Sequence, residues 1–113
     1  MTEATHGPPT RDRVAAALRV AGVPVRLEIL RAIADADGPV SPSGWVQGGA
    51  AGVTLREAAY HFRYLRDAGL IVLHEVRIDS GTAQHLYVTT PIGRALVDVL
   101  PRLERAAVAD AAA

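Results

Sequence analysis

The stretch TLREAAYHFRYLRDAGLI, residues 54–71, decides the fold of this chain. It starts with threonine, a residue type that caps helix N-termini, and it reaches a glycine, which commonly ends helices. It therefore predicts a helix over residues 54–68, ended by Gly69. At 3.6 residues per turn, one side of this helix is apolar and consists of Leu55, Ala58, Ala59, Phe62 and Leu65. The pattern predicts a helix that packs on a core and leaves a face rich in arginine, tyrosine and histidine free.

Three further helices are predicted before this one. Apolar residues at helical spacing indicate the first two, over residues 11–21 and 24–36. The second of these opens with proline, which suits the first turn of a helix. Ser41 and Pro42 form a cap and a first-turn proline, and they predict a third, short helix. The GGAAG stretch at residues 48–52 should break it.

Directly after the helix that ends at Gly69, the hydrophobic pattern changes from the helical period of 3.6 residues to an alternation with a period of two residues. The segments LIVLHEVRI (residues 70–78) and AQHLYVT (83–89) are rich in valine, isoleucine, leucine and tyrosine, and DSGT (79–82) joins them. Two such segments on either side of a short turn that contains glycine predict a β-hairpin.

The two ends of the chain differ from its middle. The Thr-Pro pair at residues 90–91 predicts a last helix, which Pro101 should kink or split. The alanine-rich residues 107–113 are expected to form a frayed tail. Residues 1–9 are polar and contain glycine and two prolines, so they predict a disordered leader. One domain, residues 10–106, lies between these ends.

The composition narrows the function. The chain of 113 residues fits one compact domain. Cysteine is absent from the sequence, which excludes disulfides, zinc–thiolate sites and thiol catalysis. The four histidines lack metal-ligand spacing and no glycine-rich loop follows a strand, so we expect no metal, no cofactor and no enzymatic activity. No apolar run reaches the length of a membrane span and no signal peptide is evident, which makes the cytoplasm the expected location.

The charge balance is neutral, with 12 basic residues, all of them arginine, against 12 acidic ones. A nucleic-acid-binding domain is often basic, so this balance counts against nucleic acid as a partner. A local positive surface matters more than the sum, however, and the polar face of the helix over residues 54–68 is such a surface.

The predicted order is four helices, a hairpin and a last helix. Two short helices joined by a turn, the second with a free polar face, form a helix-turn-helix, and a hairpin directly after it makes the motif winged. The predicted fold class is therefore mainly α with a β-hairpin wing. The first and last helices carry larger apolar stripes than a small monomer needs, which predicts a homodimer formed through these two helices.

Four segments make this sequence similar to a known family: VPVRLEILRAIAD (residues 23–35), SPS (41–43), YHFRYLRDAGLI (60–71) and HLYVTTPIGRALVD (85–98). Over about residues 14–100, the chain resembles the winged helix-turn-helix transcriptional regulators of the ArsR type, in the variety common in actinobacteria. The resemblance implies a bacterial homodimer whose first and last helices form the interface. It also implies that residues 54–64 read the major groove of DNA and that the hairpin tip contacts the backbone or the minor groove.

The sequence departs from that family at two places. Metal-sensing members carry a cysteine pair on the recognition helix, or histidine and aspartate clusters on the last helix. This chain has neither, so metal sensing is not implied. The turn ahead of the recognition helix, WVQGGAAG (residues 45–52), is longer than in the family and contains a glycine pair. It predicts a short positioning helix and a loose turn.

These features predict a sequence-specific DNA-binding transcriptional regulator, a repressor that binds a pseudo-palindromic operator as a homodimer. The expected partners are double-stranded DNA and a second copy of the chain, and the sequence leaves open an unidentified small-molecule effector. The alternative is a winged-helix protein–protein interaction module that has lost DNA binding. The neutral charge and the glycine-rich turn favour that alternative.

The candidate DNA-binding residues are Thr54, Arg56, Glu57, Tyr60, His61, Arg63, Tyr64 and Arg77. Arg56 suits a bidentate contact with guanine, and Glu57 can accept a hydrogen bond from cytosine. Arg63 and Tyr64 lie later in the helix, where contacts with phosphate or sugar position the protein without specifying sequence. Two plainer interpretations remain beside these: a solvated helix face and, for Arg77 in the hairpin, an exposed charge that deters aggregation.

Overall fold

The computed structural model describes residues 8–49 and 52–112. Its elements are α1 (Pro8–Ala21), α2 (Pro24–Asp35), α3 (Pro42–Gln47), α4 (Leu55–Asp67), β1 (Ile71–Asp79), β2 (Thr82–Thr89) and α5 (Pro91–Ala112). The order confirms the predicted fold class, because α3 and α4 form a helix-turn-helix and the antiparallel β1–β2 hairpin is its wing. None of the helices in these two ranges is both long and apolar enough to cross a membrane.

The core is one apolar cluster that draws on every large element. α4 contributes Phe62 and Leu65, and α2 contributes Ile29 and Leu30, all of which are almost completely buried. The remaining fully or nearly buried members come from α1, from α2 itself, from the residue before β1, from the wing and from α5: Ala17, Ala21, Ile33, Ala34, Leu70, Ile71, Tyr87 and Val97. Burial of each large aliphatic or aromatic side chain stabilises the fold by roughly 1.5–3 kcal/mol. The cluster therefore seats α4 by one side, as its amphipathic pattern predicts.

The buried stripe of α4 is narrower than the sequence predicts. Ala58, Phe62 and Leu65 are buried, whereas Leu55 is 53% exposed and Ala59 is exposed as well. Leu55 and Ala59 border an open groove between α3, α4 and β2. α3 has only six residues, so it is too short to cover them.

The helix that precedes α4 is as short as predicted. The Ser41 side chain caps α3 by accepting a hydrogen bond from the Gly44 amide at 3.0 Å. The helix ends at Gln47, and Gly49 follows with a φ of 114°, a region that only glycine adopts without strain. The glycine pair thus ends the helix. The rest of the predicted loose turn, at residues 50–51, lies outside the described residues.

The wing is a tight two-residue hairpin. Asp79 pairs with Thr82, and the connecting residues Ser80 and Gly81 both have positive φ, 53° and 81°. Such a turn matches the twist of the two strands. The register shifts between Leu73 and Glu75, which places a β-bulge at His74.

A short bridge fixes the wing to the helical body. Val40, in the loop before α3, exchanges two backbone hydrogen bonds with Tyr87 of β2, at 2.9 and 2.8 Å. The Tyr87 ring also lies 5.8 Å from the ring of Phe62 in α4. These contacts hold the wing, the α3 loop and α4 in one arrangement.

The structure corrects the expectations for both ends of the domain. α5 continues through Pro101 to Ala112, instead of being split and then fraying from residue 107. Strong helix formers, mostly alanine, leucine and arginine, lie on both sides of the proline and keep the helix going. α1 begins at Pro8, inside the predicted leader. The rest of that leader, residues 1–7, lies outside the described residues.

Candidate nucleic-acid interface

A capping box fixes the first turn of α4. The Thr54 hydroxyl accepts a hydrogen bond from the Glu57 amide at 3.1 Å, and the Glu57 carboxylate accepts one from the Thr54 amide at 2.9 Å. The hydrogen bonds from Thr54, first from its backbone, lower the pKa of Glu57. Two candidate DNA-binding side chains therefore have a structural role, because they satisfy amide groups that a helix N-terminus leaves unpaired.

Removal of this cap should destabilise the fold. We expect Thr54→Ala to lower the free energy of unfolding by about 1 kcal/mol, because the Glu57 amide loses its acceptor. Thr54→Ser keeps the hydroxyl and is the matched control. Urea denaturation of the three proteins measures the difference. Equal stability of Thr54→Ala and the wild type would show that the hydroxyl half of the box contributes nothing.

Two arginines on the exposed face of α4 have no partner in the part of the chain that the structure describes. Across residues 8–49 and 52–112, neither Arg56 nor Arg63 forms an ion pair or a side-chain hydrogen bond. Arg66, by contrast, donates from Nε and Nη2 to Asp67, at 3.1 and 3.0 Å. The guanidinium donors of Arg56 and Arg63 are therefore available to an external acceptor, such as a base edge or a phosphate.

Three aromatic side chains lie together beside these arginines. The Tyr60 ring meets His61 edge-on at a centroid distance of 5.3 Å and Tyr64 at 4.8 Å. Both tyrosines are exposed, and His61 is half-buried. A side-chain hydrogen bond with Tyr64, and then the charge of Tyr64, raise the pKa of Tyr60, so the two hydroxyl groups are coupled.

Sequence reasoning missed one residue of this surface. Arg26 lies in the first turn of α2, yet its guanidinium carbon is 4.3 Å from the centre of the Tyr64 ring. Its Nε donates to His61 Nδ1 at 3.1 Å. No local pattern could have shown this, because 35 residues separate Arg26 from His61. Only the packing of α2 on α4 brings them together.

Burial and the contact with Arg26 together decide the protonation state and the tautomer of His61. Burial, and then the charge of Arg26, lower the pKa of His61, while Glu57 opposes them. The ring is therefore neutral at pH 7. Because Nδ1 accepts the hydrogen bond from Arg26, the proton of the neutral ring is on Nε2, which can donate to a partner.

Arg77, the candidate DNA-binding residue of the wing, forms an ion pair with Glu75. Arg77 Nη2 lies 3.1 Å from Glu75 Oε2 on the same strand, and both side chains are substantially exposed. An exposed pair of this kind is weak, so a phosphate could displace the carboxylate. The structure thus brings Thr54 to Tyr64 together on α4 and places Arg77 apart from them, on the hairpin.

A second concave surface lies on the other side of the helix-turn-helix. Trp45 packs against the core and also lines an open groove of about 970 Å³ between α2, α3 and α5. The ion pair between Arg31 and Glu104, at 3.1 Å, lies at this groove. This groove is a concave surface on which the effector left open by the sequence could bind. No group of three or more metal-ligating side chains occurs within the described ranges.

The chain is similar to known proteins in its structure but not detectably in its sequence. No protein-family model matches the sequence, and no curated protein matches it. Solved structures do match. A protein assigned to the MarR family of transcriptional regulators, from Enterococcus faecalis V583, is 21% identical with a TM-score of 0.67, covering 97% of this chain and 94% of the other.

Two further structures are similar over most of their length. The transcriptional regulator HlyU from Vibrio vulnificus CMCP6 is 17% identical with a TM-score of 0.60, covering 84% of this chain and 91% of its own. An ArsR-like transcriptional regulator from Rhodococcus sp. RHA1 is 20% identical with a TM-score of 0.56, covering 90% of this chain and 92% of its own. This chain has the winged helix-turn-helix fold of these regulators. The resemblance to the ArsR type is thereby confirmed at the level of the fold.

Proposed function

We propose that this protein is a sequence-specific DNA-binding transcriptional regulator that acts as a homodimeric repressor. The observation that carries the proposal is a pair of arginines, Arg56 and Arg63, which have no partner among the described residues and lie on the exposed face of the second helix of a helix-turn-helix. That helix is the one which enters the major groove in proteins of this fold. A neutral overall charge is compatible with DNA binding, since Arg56 and Arg63 both lie on the exposed face of the helix that would meet the DNA.

The residues of α4 take different roles in this proposal. Arg56, in the first turn of the helix, reads guanine through a bidentate contact. Tyr60 offers its hydroxyl group to base edges, and His61 donates its Nε2–H to base edges or phosphates. Arg63 and Tyr64 contact the sugar–phosphate backbone. Thr54 and Glu57 contribute mainly by holding the N-terminus of α4 in shape, although Glu57 keeps one carboxylate oxygen that can accept from cytosine.

The wing adds a backbone contact. Arg77 leaves Glu75 and binds a phosphate next to the half-site. This contact positions the protein and reads no sequence. It therefore contributes to affinity on any duplex.

The proposed homodimer is supported by apolar side chains on α1 and α5 that are exposed to solvent in a single chain. Leu18 of α1 is 58% exposed and Leu103 of α5 is 59% exposed, and both helices carry further exposed apolar residues: Val14, Val99 and Val108. A single copy gains nothing from this surface, whereas a second copy would bury it. Two-fold symmetry then predicts a pseudo-palindromic operator with half-sites about one helical turn apart.

We expect the wild type to sediment as a dimer at micromolar concentration, and Leu18→Glu combined with Leu103→Glu to sediment as a monomer. A carboxylate buried in an apolar interface without a partner is strongly unfavourable. Ile78→Glu is the matched control, because Ile78 is 67% exposed in the wing, away from α1 and α5. A monomeric wild type would contradict the dimer and remove the argument for a palindrome.

The function itself is tested by gel shift. Fragments from selection of genomic DNA, including the region upstream of the protein's own gene, are incubated with the protein over a salt series. Binding through phosphates should weaken steeply as salt rises, because bound counterions are released. Failure to retain any genomic fragment at low salt would refute the proposal.

A further inference from the structure

Arg26 connects α2 to the exposed side of α4 through several contacts. Its guanidinium group stacks over Tyr64 at 4.3 Å, and its Nε donates to His61 Nδ1 at 3.1 Å. Its Nη1 donates to the Val20 carbonyl of α1 at 3.3 Å. A planar guanidinium group can serve a ring face and two acceptors at once, which a lysine ammonium group cannot do in the same geometry. One side chain thus joins three helices.

The groups that Arg26 holds are those on the free surface. Tyr64 and His61 both touch Tyr60, at ring distances of 4.8 and 5.3 Å. Arg26 is half-buried, whereas Tyr60 and Tyr64 are exposed. Arg26 is therefore the inner end of a connected set whose outer end faces solvent. Side chains that are ordered before binding lose less conformational entropy when a ligand arrives.

We propose that Arg26 is a positioning residue: from α2 it holds Tyr64 and His61, and through them Tyr60, in the orientation that α4 presents to DNA. The inference rests on the proposed function of this face. The residues of the proposed function contact DNA directly. Arg26, by contrast, acts only through other side chains and contacts no phosphate itself.

The pKa of His61 can be used to detect this arrangement in the free protein, in the absence of DNA. The charged groups that act on it are Arg26 from α2 and Glu57 from α4 itself, while α1 supplies the Val20 carbonyl to Arg26. Arg26 lowers the pKa of His61 and Glu57 raises it. Loss of the guanidinium group should therefore raise the pKa of His61 towards the ordinary histidine value of about 6.5.

The test uses Arg26→Met and Arg26→Lys. Methionine keeps a long apolar stem that can pack on Tyr64 but loses the charge and the donors, whereas lysine keeps the charge and loses the planar fork. Arg31→Met is the matched control, since Arg31 is on the same helix but pairs with Glu104. NMR titration of His61 is measured on the free proteins. DNA affinity is measured on an operator obtained by selection, over a salt series.

We expect the pKa of His61 to rise in Arg26→Met. The affinity for the operator should fall about tenfold in both Arg26 variants and stay unchanged in Arg31→Met. The slope of log affinity against log salt should be the same as in the wild type, because no phosphate contact is lost.

Three outcomes would overturn the inference while leaving the proposed function intact. In the first, the salt slope of Arg26→Met falls by about one, which marks a direct phosphate contact. In the second, Arg26→Lys binds like the wild type, which shows that charge alone matters; this variant also decides the matter if Arg26→Met fails to fold. In the third, the affinity of Arg26→Met is unchanged. A wild type that binds no DNA refutes the proposed function, and the inference with it.

Discussion

Replacement of Gly93 by alanine should lower the free energy of unfolding by about 3 kcal/mol, at the upper end of the usual cost of overpacking. Gly93 lies in the first turn of α5 against the backbone of Leu70, and a Cβ atom added to it would overlap the Leu70 carbonyl oxygen. That carbonyl group cannot move freely, because it accepts a hydrogen bond from the Thr90 amide at 3.1 Å and Leu70 is completely buried.

The surrounding hydrogen bonds explain why α5 cannot simply shift outward. The Thr90 hydroxyl donates to the Gly69 carbonyl at 2.6 Å and accepts from the Gly93 amide at 3.1 Å. These bonds join the end of α4 to the start of α5. An added methyl group must therefore break them or distort the junction between α4 and β1.

Thermal unfolding measures the effect, and we expect the midpoint to fall by roughly 10 °C or more. Gly38→Ala is the matched control, since a Cβ atom at Gly38 would meet nothing within 4 Å. Its midpoint should be unchanged or slightly higher, because alanine restricts the unfolded chain. A midpoint for Gly93→Ala equal to that of the wild type would show that the junction tolerates the methyl group.

Local signals in the sequence predicted most of the fold. Thr54 caps α4 and Ser41 caps α3, as expected, and Thr90 of the Thr-Pro pair accepts a hydrogen bond from the first turn of α5. Capping depends on side chains within three residues of each other, so one short stretch contains all the necessary information. The same holds for the DSGT turn of the wing, whose two central residues need positive φ.

Predictions were less accurate where distant parts of the chain decide the outcome. Leu55 and Ala59 belong to the apolar side of α4 by periodicity, but their burial depends on how far α3 extends. Pro101 is a local helix breaker, yet α5 continues past it, and beyond it Glu104 pairs with Arg31 of α2 at 3.1 Å. In the first case the deciding influence comes from another element, and in the second the helix formers on both sides of Pro101 outweigh the local effect of the proline.

In the candidate site, too, the local features could be predicted from the sequence, and the contacts between side chains could not. The exposed arginines and tyrosines of α4 could be identified from the helical wheel alone. The wheel did not show that Glu57 is used in a capping box, that Arg66 is paired with Asp67, or that Arg26 reaches His61. Partners of charged groups are set by rotamers and by tertiary packing. Among the described residues, Arg56 and Arg63 are therefore the arginines on this face of α4 that form no ion pair or side-chain hydrogen bond.

Combined replacement of these two residues, Arg56→Ala with Arg63→Ala, should abolish retention of DNA in a gel shift at physiological salt. Each good bidentate contact with a base, or contact with a phosphate, typically changes affinity about tenfold or more, so the two together should weaken specific binding roughly a hundredfold. Neither side chain forms an ion pair or hydrogen bond within the described ranges, so the fold should lose little stability. Circular dichroism and the unfolding midpoint check this.

The matched control is Arg102→Ala with Arg105→Ala, which removes the same charge from exposed positions on α5. If general electrostatic attraction explained retention, the two double variants would weaken binding equally. The single variants separate the roles further: Arg56→Ala should relax the preference for guanine at one position, whereas Arg63→Ala should weaken all duplexes alike and lower the salt slope by about one. If the Arg56 and Arg63 double variant retains DNA as well as the wild type does, this face of α4 is not the DNA surface. A winged helix that docks on another protein then becomes the better interpretation of these two arginines.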